Sequence, residues 1–464
     1  MELSKEVSLT SGSLFKKILI FSLPIMASSL LQLLYNAADL IVCGSFGSEY
    51  SVAAISNTTS LVNLMVQLFI GMSVGSNVLM ARSYALKDKG KAKVVLAVSL
   101  IFSFVIGFFL TIVGAVFAKN LLEAMQTPKE VLQLSTDYFQ IYCYGFIFSM
   151  IYNFGSAMVR ATGDTKRPFY YLCIAGVINV CFNLFFVIVC KLDVKGVALG
   201  TIISEAVSAI LIIILMIKGN SLFKLRFEDF KLKKEEFFYE LGQVVKIGIP
   251  AGIQNSVFCI ANLLIQSSIN SLGTVVMDAD GASSSIEGFV YACMNAVAQA
   301  TLVFVSANYA LGKRDNIKKV VLYSFLLCTL FAGISGGFVI IFGRQLLDLY
   351  VKTDAAIDIG YKRLLILCST YTLCGYIDVF SFAIRGIGYS ITPTIVTALG
   401  CCVYRIVWVF TIFKIERFHT NTTLSLAYPI SWLMTSLVHF ICFIYFFKKV
   451  KVFDVDTNNL LNNV

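Results

Sequence analysis

Twelve apolar stretches, each about 20 residues or longer, recur along the whole of this 464-residue chain. A helix of roughly 20 apolar residues is long enough to cross the hydrocarbon core of a bilayer, which is about 30 Å thick. Charged residues make up only 14% of the chain, whereas ordinary soluble domains contain about 25%. We therefore predict an all-α integral membrane protein with twelve transmembrane helices, at about 15–43, 52–80, 94–117, 131–158, 169–190, 196–218, 244–271, 280–308, 320–342, 359–384, 394–414 and 422–447.

The second half of the chain repeats the spacing of the first. The pattern R-x-x-G-x-x-x-x-P begins at Arg160 and again at Arg385, 225 residues later, and Pro24 returns as Pro250 at an offset of 226. Each arginine is predicted to lie at a helix end, where a positive charge is favourable, with the glycine three residues later ending the helix. The two prolines fall near the starts of spans one and seven. Of two roles, a tolerated first-turn residue or a kink, we favour the first.

The repeat divides the twelve spans into two sets of six. Because six is even, both halves enter the membrane from the same side, and they should be related as parallel repeats by an axis along the membrane normal. We predict an amino-terminal six-helix bundle at 1–218, a cytoplasmic linker at 219–243 and a carboxy-terminal six-helix bundle at 244–464. A duplicated membrane unit with a pathway between its halves is typical of transporters, so transport is the leading hypothesis.

The net charge of +10 is distributed in a way that indicates topology rather than nucleic-acid binding. With the amino terminus on the cytoplasmic side, the loops on that side hold 26 Lys or Arg and the opposite loops hold 8. Only Lys362, Arg363 and Arg405 lie within spans. The bias predicts that both termini are cytoplasmic in a bacterial-type inner membrane.

The linker is charged, but it also contains phenylalanines, among them Phe227, Phe230 and Phe238. Two interpretations fit this composition. The segment either forms an amphipathic helix on the inner leaflet, or it is a solvated connector.

Several functional classes lack their sequence signals here. The 13 cysteines lie mostly inside apolar runs and form no metal-binding spacing, and His419 and His439 are the only histidines. No phosphate-binding loop occurs, so ATP is not expected to drive this chain directly. No Gly-x-Ser-x-Gly or His-Glu-x-x-His motif is present, so we do not expect an enzyme or a cofactor. A channel remains an alternative that a measured exchange against an ion gradient would separate from a transporter.

Several motifs resemble those of one known family. Leu23 to Asp39 reads LPIMASSLLQLLYNAAD, Gly248 to Gln254 reads GIPAGIQ, and the R-x-x-G motif is paired. The chain resembles the multidrug and toxic compound extrusion (MATE) family, in its DinF-like branch. The resemblance implies the MATE fold, two six-helix bundles around a central cavity, and export of an organic solute in exchange for a proton or sodium ion.

The resemblance also suggests partners and a rival function. The expected partners are membrane lipids and organic, often cationic, small molecules, with neither nucleic acid nor ATP, and the expected state is a monomer. The rival is a lipid-linked precursor flippase of the same superfamily. A flippase would be expected to show fourteen spans or a strongly cationic cavity, and neither is visible in the sequence.

Asp39 is the best candidate for the coupling group. It follows Tyr35 and Asn36 in the outward half of span one, among apolar residues. An ionisable side chain at mid-membrane costs at least about 2.5–3.5 kcal/mol on insertion scales, so its presence needs a reason. Burial disfavours the charged form of a carboxyl group and a nearby cation favours it, so such a group can alternate between a proton and a cation. Alternatively, Asp39 only reaches the headgroup zone.

Asn179 and Asn183 stand four residues apart in span five and therefore share a helix face. The resemblance places both asparagines, with Asp39 and Thr201, at the ion-coupling positions of the branch. Carboxylate, amide and hydroxyl oxygens suit sodium better than soft metals. The second helix-five position is Asn183 rather than aspartate, so a sodium site would be weaker and proton coupling through Asp39 becomes credible. Helix–helix hydrogen bonding, worth about 0.6 kcal/mol on average, is the alternative role of the asparagines.

Polar, aromatic and methionine residues inside the spans are candidates for a solute cavity. Aromatic and methionine side chains suit bulky cations through cation–π attraction and adaptable thioether packing, although most of the 39 Phe and 12 Met must face lipid or other helices. Glu287 alternatively lies near the outer mouth, and Asp378 marks a position where the halves differ. The candidates are Tyr35, Met26, Met65, Met72, Tyr138, Gln254, Asn262, Gln266, Glu287, Asn295, Gln299 and Asp378.

Overall fold

The computed structural model describes residues 7–125, 127–218 and 224–449. These residues form helices and turns, and no β-strand occurs among them. The α-helices are α1 (Leu14–Phe46), α2 (Ser51–Ala85), α3 (Lys89–Ala124), α4 (Lys129–Tyr144), α5 (Phe146–Arg160), α6 (Lys166–Leu184), α7 (Asp193–Lys218), α8 (Lys234–Asn270), α9 (Thr274–Ala310), α10 (Arg314–Asp348), α11 (Asp354–Gly386), α12 (Ile391–Thr397), α13 (Tyr404–Phe410) and α14 (Asn421–Lys449).

The predicted spans coincide with the helices of the structure. Within the described ranges, 11 helical stretches are long and apolar enough to cross a membrane. Two of them, Lys166–Val189 and Ile391–Phe410, contain a π-helical segment, at Phe185–Val189 and at Ala398–Val403. The remaining predicted span, 131–158, corresponds to α4 and α5 together. The predicted fold class, an all-α membrane protein, is confirmed.

Gly145 separates α4 from α5. A Cβ atom at this position would lie 2.9 Å from Glu205 Oε2 and 3.1 Å from the Tyr142 carbonyl oxygen. The glycine therefore lets the carboxyl group of Glu205, on α7, approach the α4–α5 backbone. This close approach explains why a glycine occupies the junction, and it leaves each helix too short to count as a span by itself.

The expectation for the two repeated prolines was wrong. Pro24 lies ten residues into α1, and Pro250 lies sixteen residues into α8, so neither occupies a first turn. The sequence analysis placed the start of span seven near residue 244, whereas α8 begins at Lys234. A proline inside a helix removes one backbone hydrogen bond and crowds the preceding turn, so both helices carry a built-in weak point.

The chain forms two compact units, and each takes its first helix segment from a separate part of the sequence. The first unit contains Ala27–Gly252. The second contains Val7–Met26 and the chain from Ile253 onward. Both divisions fall two residues after a proline, Pro24 in α1 and Pro250 in α8. The boundaries 1–218 and 244–464 were drawn from the sequence repeat, and they stay a prediction about the duplicated segments.

The repeated arginine–glycine turns have the predicted form. Arg160 is the last residue of α5, and Gly163 has a φ of 98°. Arg385 lies in the last turn of α11, and Gly388 has a φ of 107°. A positive φ is readily adopted by glycine. The two halves thus end equivalent helices with the same backbone geometry.

The described part of the linker combines a short 3₁₀-helix, Phe227–Phe230, with the first turns of α8. Residues 219–223 of the predicted linker lie outside the described residues. Two ion pairs hold the rest to the start of α3: Lys93 to Asp229 at 3.1 Å and Lys91 to Glu240 at 3.5 Å. Phe227 is 91% exposed. The described segment therefore docks through its charges and leaves this aromatic ring uncovered.

Candidate functional site

Three helices of the first unit bring the predicted coupling residues together. Asp39 lies on α1, Asn179 and Asn183 lie on α6, and Thr201 lies on α7. The Asn183 side-chain nitrogen Nδ2 donates to Asp39 Oδ1 at 2.6 Å and lies 3.2 Å from Asn179 Oδ1. Asn179 Nδ2 in turn donates to Thr201 Oγ1 at 3.2 Å. All four residues form one connected hydrogen-bond chain, which we call the Asp39 cluster.

Small residues on α7 allow α6 to approach closely. Gly196 and Gly200 form a Gly-x-x-x-Gly spacing, a pattern that permits close helix contact in membranes. A Cβ atom at Gly200 would overlap Asn183 Oδ1, and one at Gly196 would lie 2.8 Å from the Phe186 Cβ atom. The asparagine therefore occupies the space that the missing side chain leaves.

Local geometry on both sides fixes the partners of the cluster. The π-helix Phe185–Val189 begins two residues after Asn183, and such segments are frequent at functional sites. On α1, the Tyr35 hydroxyl donates to the Leu172 carbonyl oxygen at 2.9 Å, and its ring fills the space over Gly176. Tyr35 thereby ties α1 to α6 one turn before Asp39.

The Asp39 cluster is buried. Asp39 is 8% exposed, Asn179 is 4% exposed and Asn183 is fully buried. Asn183 Oδ1 has no hydrogen-bond partner among the described residues, although buried polar groups are normally satisfied. The cluster thus offers one carboxylate, amide oxygens and a hydroxyl, all hard donors. No group of three His, Cys, Asp or Glu side chains within the described ranges is arranged to hold a metal ion.

The other candidate residues near the cluster differ in accessibility. Tyr138, on α4, is 5% exposed, with its ring 6.0 Å from that of Tyr142. Met72 is 3% exposed and packs where α2 meets Gly248 and Gly252 of α8. Met65 and Tyr35 are half-buried, and Met26 is a half-buried residue of the second unit.

A second polar network occupies the second unit. The Tyr291 hydroxyl donates to Asp378 Oδ2 at 3.1 Å, and Asn295 Nδ2 lies 3.3 Å from the same oxygen. Gln299 Nε2 donates to Asn295 Oδ1 at 2.8 Å. The structure therefore joins three predicted residues, Asp378, Asn295 and Gln299, and adds Tyr291, which the sequence analysis did not select.

Glu287 belongs to a buried ion cluster. Arg363 Nε donates to Glu287 Oε1 at 3.0 Å, and Arg363 Nη1 lies 2.5 Å from Asp280 Oδ1. All three side chains are less than 10% exposed. The sequence analysis noted Arg363 within a span but did not pair it. The useful signal was available, because a charge inside a span needs a partner of opposite sign.

The remaining predicted polar residues have separate partners. Gln254 Oε1 accepts from Arg385 Nη2 at 2.6 Å. Asn262 Oδ1 accepts from Arg405 Nη1 at 3.4 Å. Gln266 Nε2 donates to Asn270 Oδ1 at 3.3 Å. These residues lie in the second unit, but no printed contact joins them to the Asp378 network.

Comparisons with known proteins agree with this architecture. A family model described as MatE matches the chain twice, at residues 24–185 and 250–411. The probable multidrug resistance protein YoeA of Bacillus subtilis is 25% identical over 410 residues, covering 86% of this chain and 87% of the relative. The multidrug export protein MepA of Staphylococcus aureus is 22% identical over 391 residues, covering 83% of this chain and 84% of the relative.

Solved structures share the fold. A multidrug resistance MATE family transporter of the MOP superfamily in an outward-facing conformation superposes with a TM-score of 0.88 at 21% identity, covering 97% of this chain and all of the other. A MOP superfamily transporter from Pyrococcus furiosus has a TM-score of 0.88 at 22% identity, with the same coverage. The two family-model matches begin at Pro24 and Pro250, the pair that the sequence repeat relates. Since these matches span well over half of the sequence, the chain belongs to the MatE family of multidrug and toxic compound extrusion proteins.

Proposed function

We propose that this chain is a cation-coupled antiporter that exports amphipathic, often cationic, organic solutes by alternating access. The observation that carries the proposal is the buried carboxyl group of Asp39, held by the amide nitrogen of Asn183 at 2.6 Å inside a membrane-spanning bundle. The relatives named as multidrug resistance and export proteins support the solute class. We place the protein in the inner membrane of a bacterial-type cell as a monomer with both termini cytoplasmic.

Asp39 is proposed to exchange one positive charge for another. A buried carboxylate is stable when a proton or a cation neutralises it. When the coupling ion binds at Asp39, the charge that holds a cationic solute is lost, and the solute leaves outward. Release of the ion on the inner side restores the carboxylate for the next solute. The cycle needs no other titrating group in the Asp39 cluster, because Asn179, Asn183 and Thr201 are neutral.

We propose the proton rather than sodium as the coupling ion. The cluster has a single carboxylate, and one of its oxygens already accepts a hydrogen bond from Asn183. A sodium ion would need several oxygens to turn toward it, and Asn183 presents its nitrogen to Asp39. A proton needs only one carboxylate oxygen. The unpartnered oxygen of Asn183 remains the atom through which sodium could enter the cluster.

The test is dye efflux from proteoliposomes that contain the full chain. Ethidium serves as the cationic probe, and proton and sodium gradients are imposed separately. We expect the proton gradient to drive efflux by the wild type, and Asp39→Asn to fall to the leak rate of protein-free vesicles. Asp137→Asn is the matched control, because Asp137 is an α4 carboxylate paired with Lys195 at 3.0 Å outside the cluster.

Two results would contradict the proposal. If Asp39→Asn exports ethidium as fast as the wild type under both gradients, Asp39 is not the coupling group. If only the sodium gradient drives the wild type, the choice of the proton is wrong while the role of Asp39 stands.

A further inference from the structure

A cavity of about 330 Å³ lies in the second unit, between the last turns of α8 and the helix α13 with the turn that follows it. Its volume falls at the lower end of the range of about 300–1,000 Å³ that is usual for small-molecule pockets. Most of the wall is hydrocarbon, contributed by Leu264, Ile265, Ile406, Val409, Phe410 and Phe413. The cavity is therefore suited to an apolar body of modest size.

Arg405 forms part of the same wall, and it is 1% exposed. Its Nε donates to Ser431 Oγ at 3.2 Å and its Nη1 donates to Asn262 Oδ1 at 3.4 Å. Its Nη2 has no hydrogen-bond partner within the described part of the chain. The aromatic ring of Tyr428 lies 4.1 Å from the guanidinium carbon. Every group that contacts this cation is thus neutral.

Arg363 shows what a buried arginine in the same unit normally has. It lies between Asp280 and Glu287, with both carboxylates at ion-pair distance. No carboxylate of the described residues forms an ion pair with Arg405. A buried charge without a counterion is costly in an apolar medium. The difference between the two arginines indicates that the partner of Arg405 comes from outside the chain.

The mouth of the cavity carries the same sign of charge. Helix α13 ends at Phe410, five residues or about 7.5 Å along the axis from Arg405. Lys414 and His419 also line the cavity beyond that helix end. The lining contains no aspartate or glutamate. The cavity therefore combines an apolar wall with a positive potential along its length.

We propose that this cavity binds an amphiphilic organic anion. The anionic group, a carboxylate or a phosphate ester, pairs with the guanidinium of Arg405, whose planar fork suits these oxygens. The hydrocarbon part lies against Leu264, Val409 and Phe413. This ligand is opposite in charge to the exported solute of the proposed function, and the inference does not depend on the Asp39 cluster.

The test measures thermal unfolding of the purified full chain in an uncharged detergent with added probes. Decanoate and dioctanoyl phosphatidylglycerol carry both an anionic group and a hydrocarbon tail. Decan-1-ol and decyltrimethylammonium carry the same tail without the anion, and inorganic phosphate is an anion without a tail. Since a ligand that binds the folded state raises Tm, we expect a rise with decanoate or the phospholipid and none with the other three. Which of the two raises Tm identifies the source of the anion.

Two variants connect the effect to the cavity. Arg405→Gln removes the charge, and Val409→Trp fills the space while keeping Arg405. We expect the ligand-induced rise, taken from each variant's own baseline, to disappear in both. Val409→Trp keeps the test decisive if Arg405→Gln does not fold.

The proposal is overturned by any of three results. Decan-1-ol may not match decanoate, inorganic phosphate may not produce the full rise alone, and Val409→Trp may not retain it. A full rise in Val409→Trp would place the ligand elsewhere on the protein. Equal rises with decanoate and decyltrimethylammonium would show that Arg405 does not select the charge.

Discussion

Arg363 is the residue whose removal should damage the fold most. It neutralises two buried carboxylates, Asp280 and Glu287, and its Nε and Nη2 contact both oxygens of Glu287 at 3.0 and 3.3 Å. Arg363→Met would leave both carboxylates buried without a cation. Breaking a buried pair in this way typically costs about 3–5 kcal/mol, so we expect a marked fall in Tm of the purified protein.

The matched control for Arg363 is Arg344→Met. Arg344 pairs with Asp358 at 2.7 Å, but the two side chains are 60% and 53% exposed. Exposed pairs contribute about 0–1 kcal/mol, so Tm should change little. Equal Tm values for the two variants would show that the buried ion cluster is not a stabilising element.

Asn183 decides which ion the Asp39 cluster prefers. Asn183→Asp would place a second carboxylate beside Asp39, where the amide nitrogen now lies at 2.6 Å. Two adjacent carboxylates repel each other and favour a shared cation, and hard oxygen donors suit sodium. We expect an imposed sodium gradient to drive ethidium efflux by this variant. Asn153→Asp, which adds a carboxylate to α5, should not respond, and a variant that folds but ignores sodium would contradict the prediction.

The sequence predicted the members of the Asp39 cluster but not the pairing of the buried charges. Asn179 and Asn183 were selectable because a four-residue spacing defines one helix face. Asp280 and Arg363 lie 83 residues apart, and helical spacing says nothing about such a distant contact. Tyr291 was missed for the same reason, because its role appears only when α9 meets α11 and its hydroxyl reaches Asp378.

At the scale of helices, the approach of α7 to α6 is the contact on which the candidate site depends. Gly200 leaves room for Asn183, and a Cβ atom there would overlap Asn183 Oδ1. We expect Gly200→Ala to displace Asn183 and to cost about 1–3 kcal/mol, the usual range for overpacking. Both Tm and the rate of ethidium efflux should fall.

Gly333→Ala on α10 is the control for that substitution. A Cβ atom at Gly333 has no neighbouring atom within 4 Å, and alanine is about 1 kcal/mol more favourable than glycine in a helix. Its Tm should hold or rise. If Gly200→Ala behaves in the same way, the close approach does not support the cluster.

Helix positions were predictable, but helix interruptions were not. Long apolar runs gave the spans because length and composition suffice for crossing a membrane. The junction at Gly145 lies inside one such run, and its cause is the carboxyl group of Glu205 on another helix. The ten turns of charged and polar sequence before span seven hid the real start of α8 in the same manner. Packing, not propensity, decides both features.

At the scale of the whole molecule, the distribution of Lys and Arg makes a topology prediction that Cys190 can test. Cys190 is exposed and lies between the π-helix and α7, on the side opposite the termini in the predicted topology. A membrane-impermeant maleimide added to intact cells should therefore label it. Cys190→Ser should lose that label, and labelling that requires permeabilised cells would reverse the orientation.

The two compact units have a consequence for how the chain can be divided. Val7–Met26 is encoded at one end of the sequence but completes the unit that otherwise starts at Ile253, and α8 begins within the unit that it then leaves. The segment that was duplicated is therefore not the segment that folds. Two polypeptides separated at the linker would each lack a helix portion that only the other carries, as in a domain-swapped dimer. A gene cut at that place should yield stable protein only when both fragments are made in the same cell.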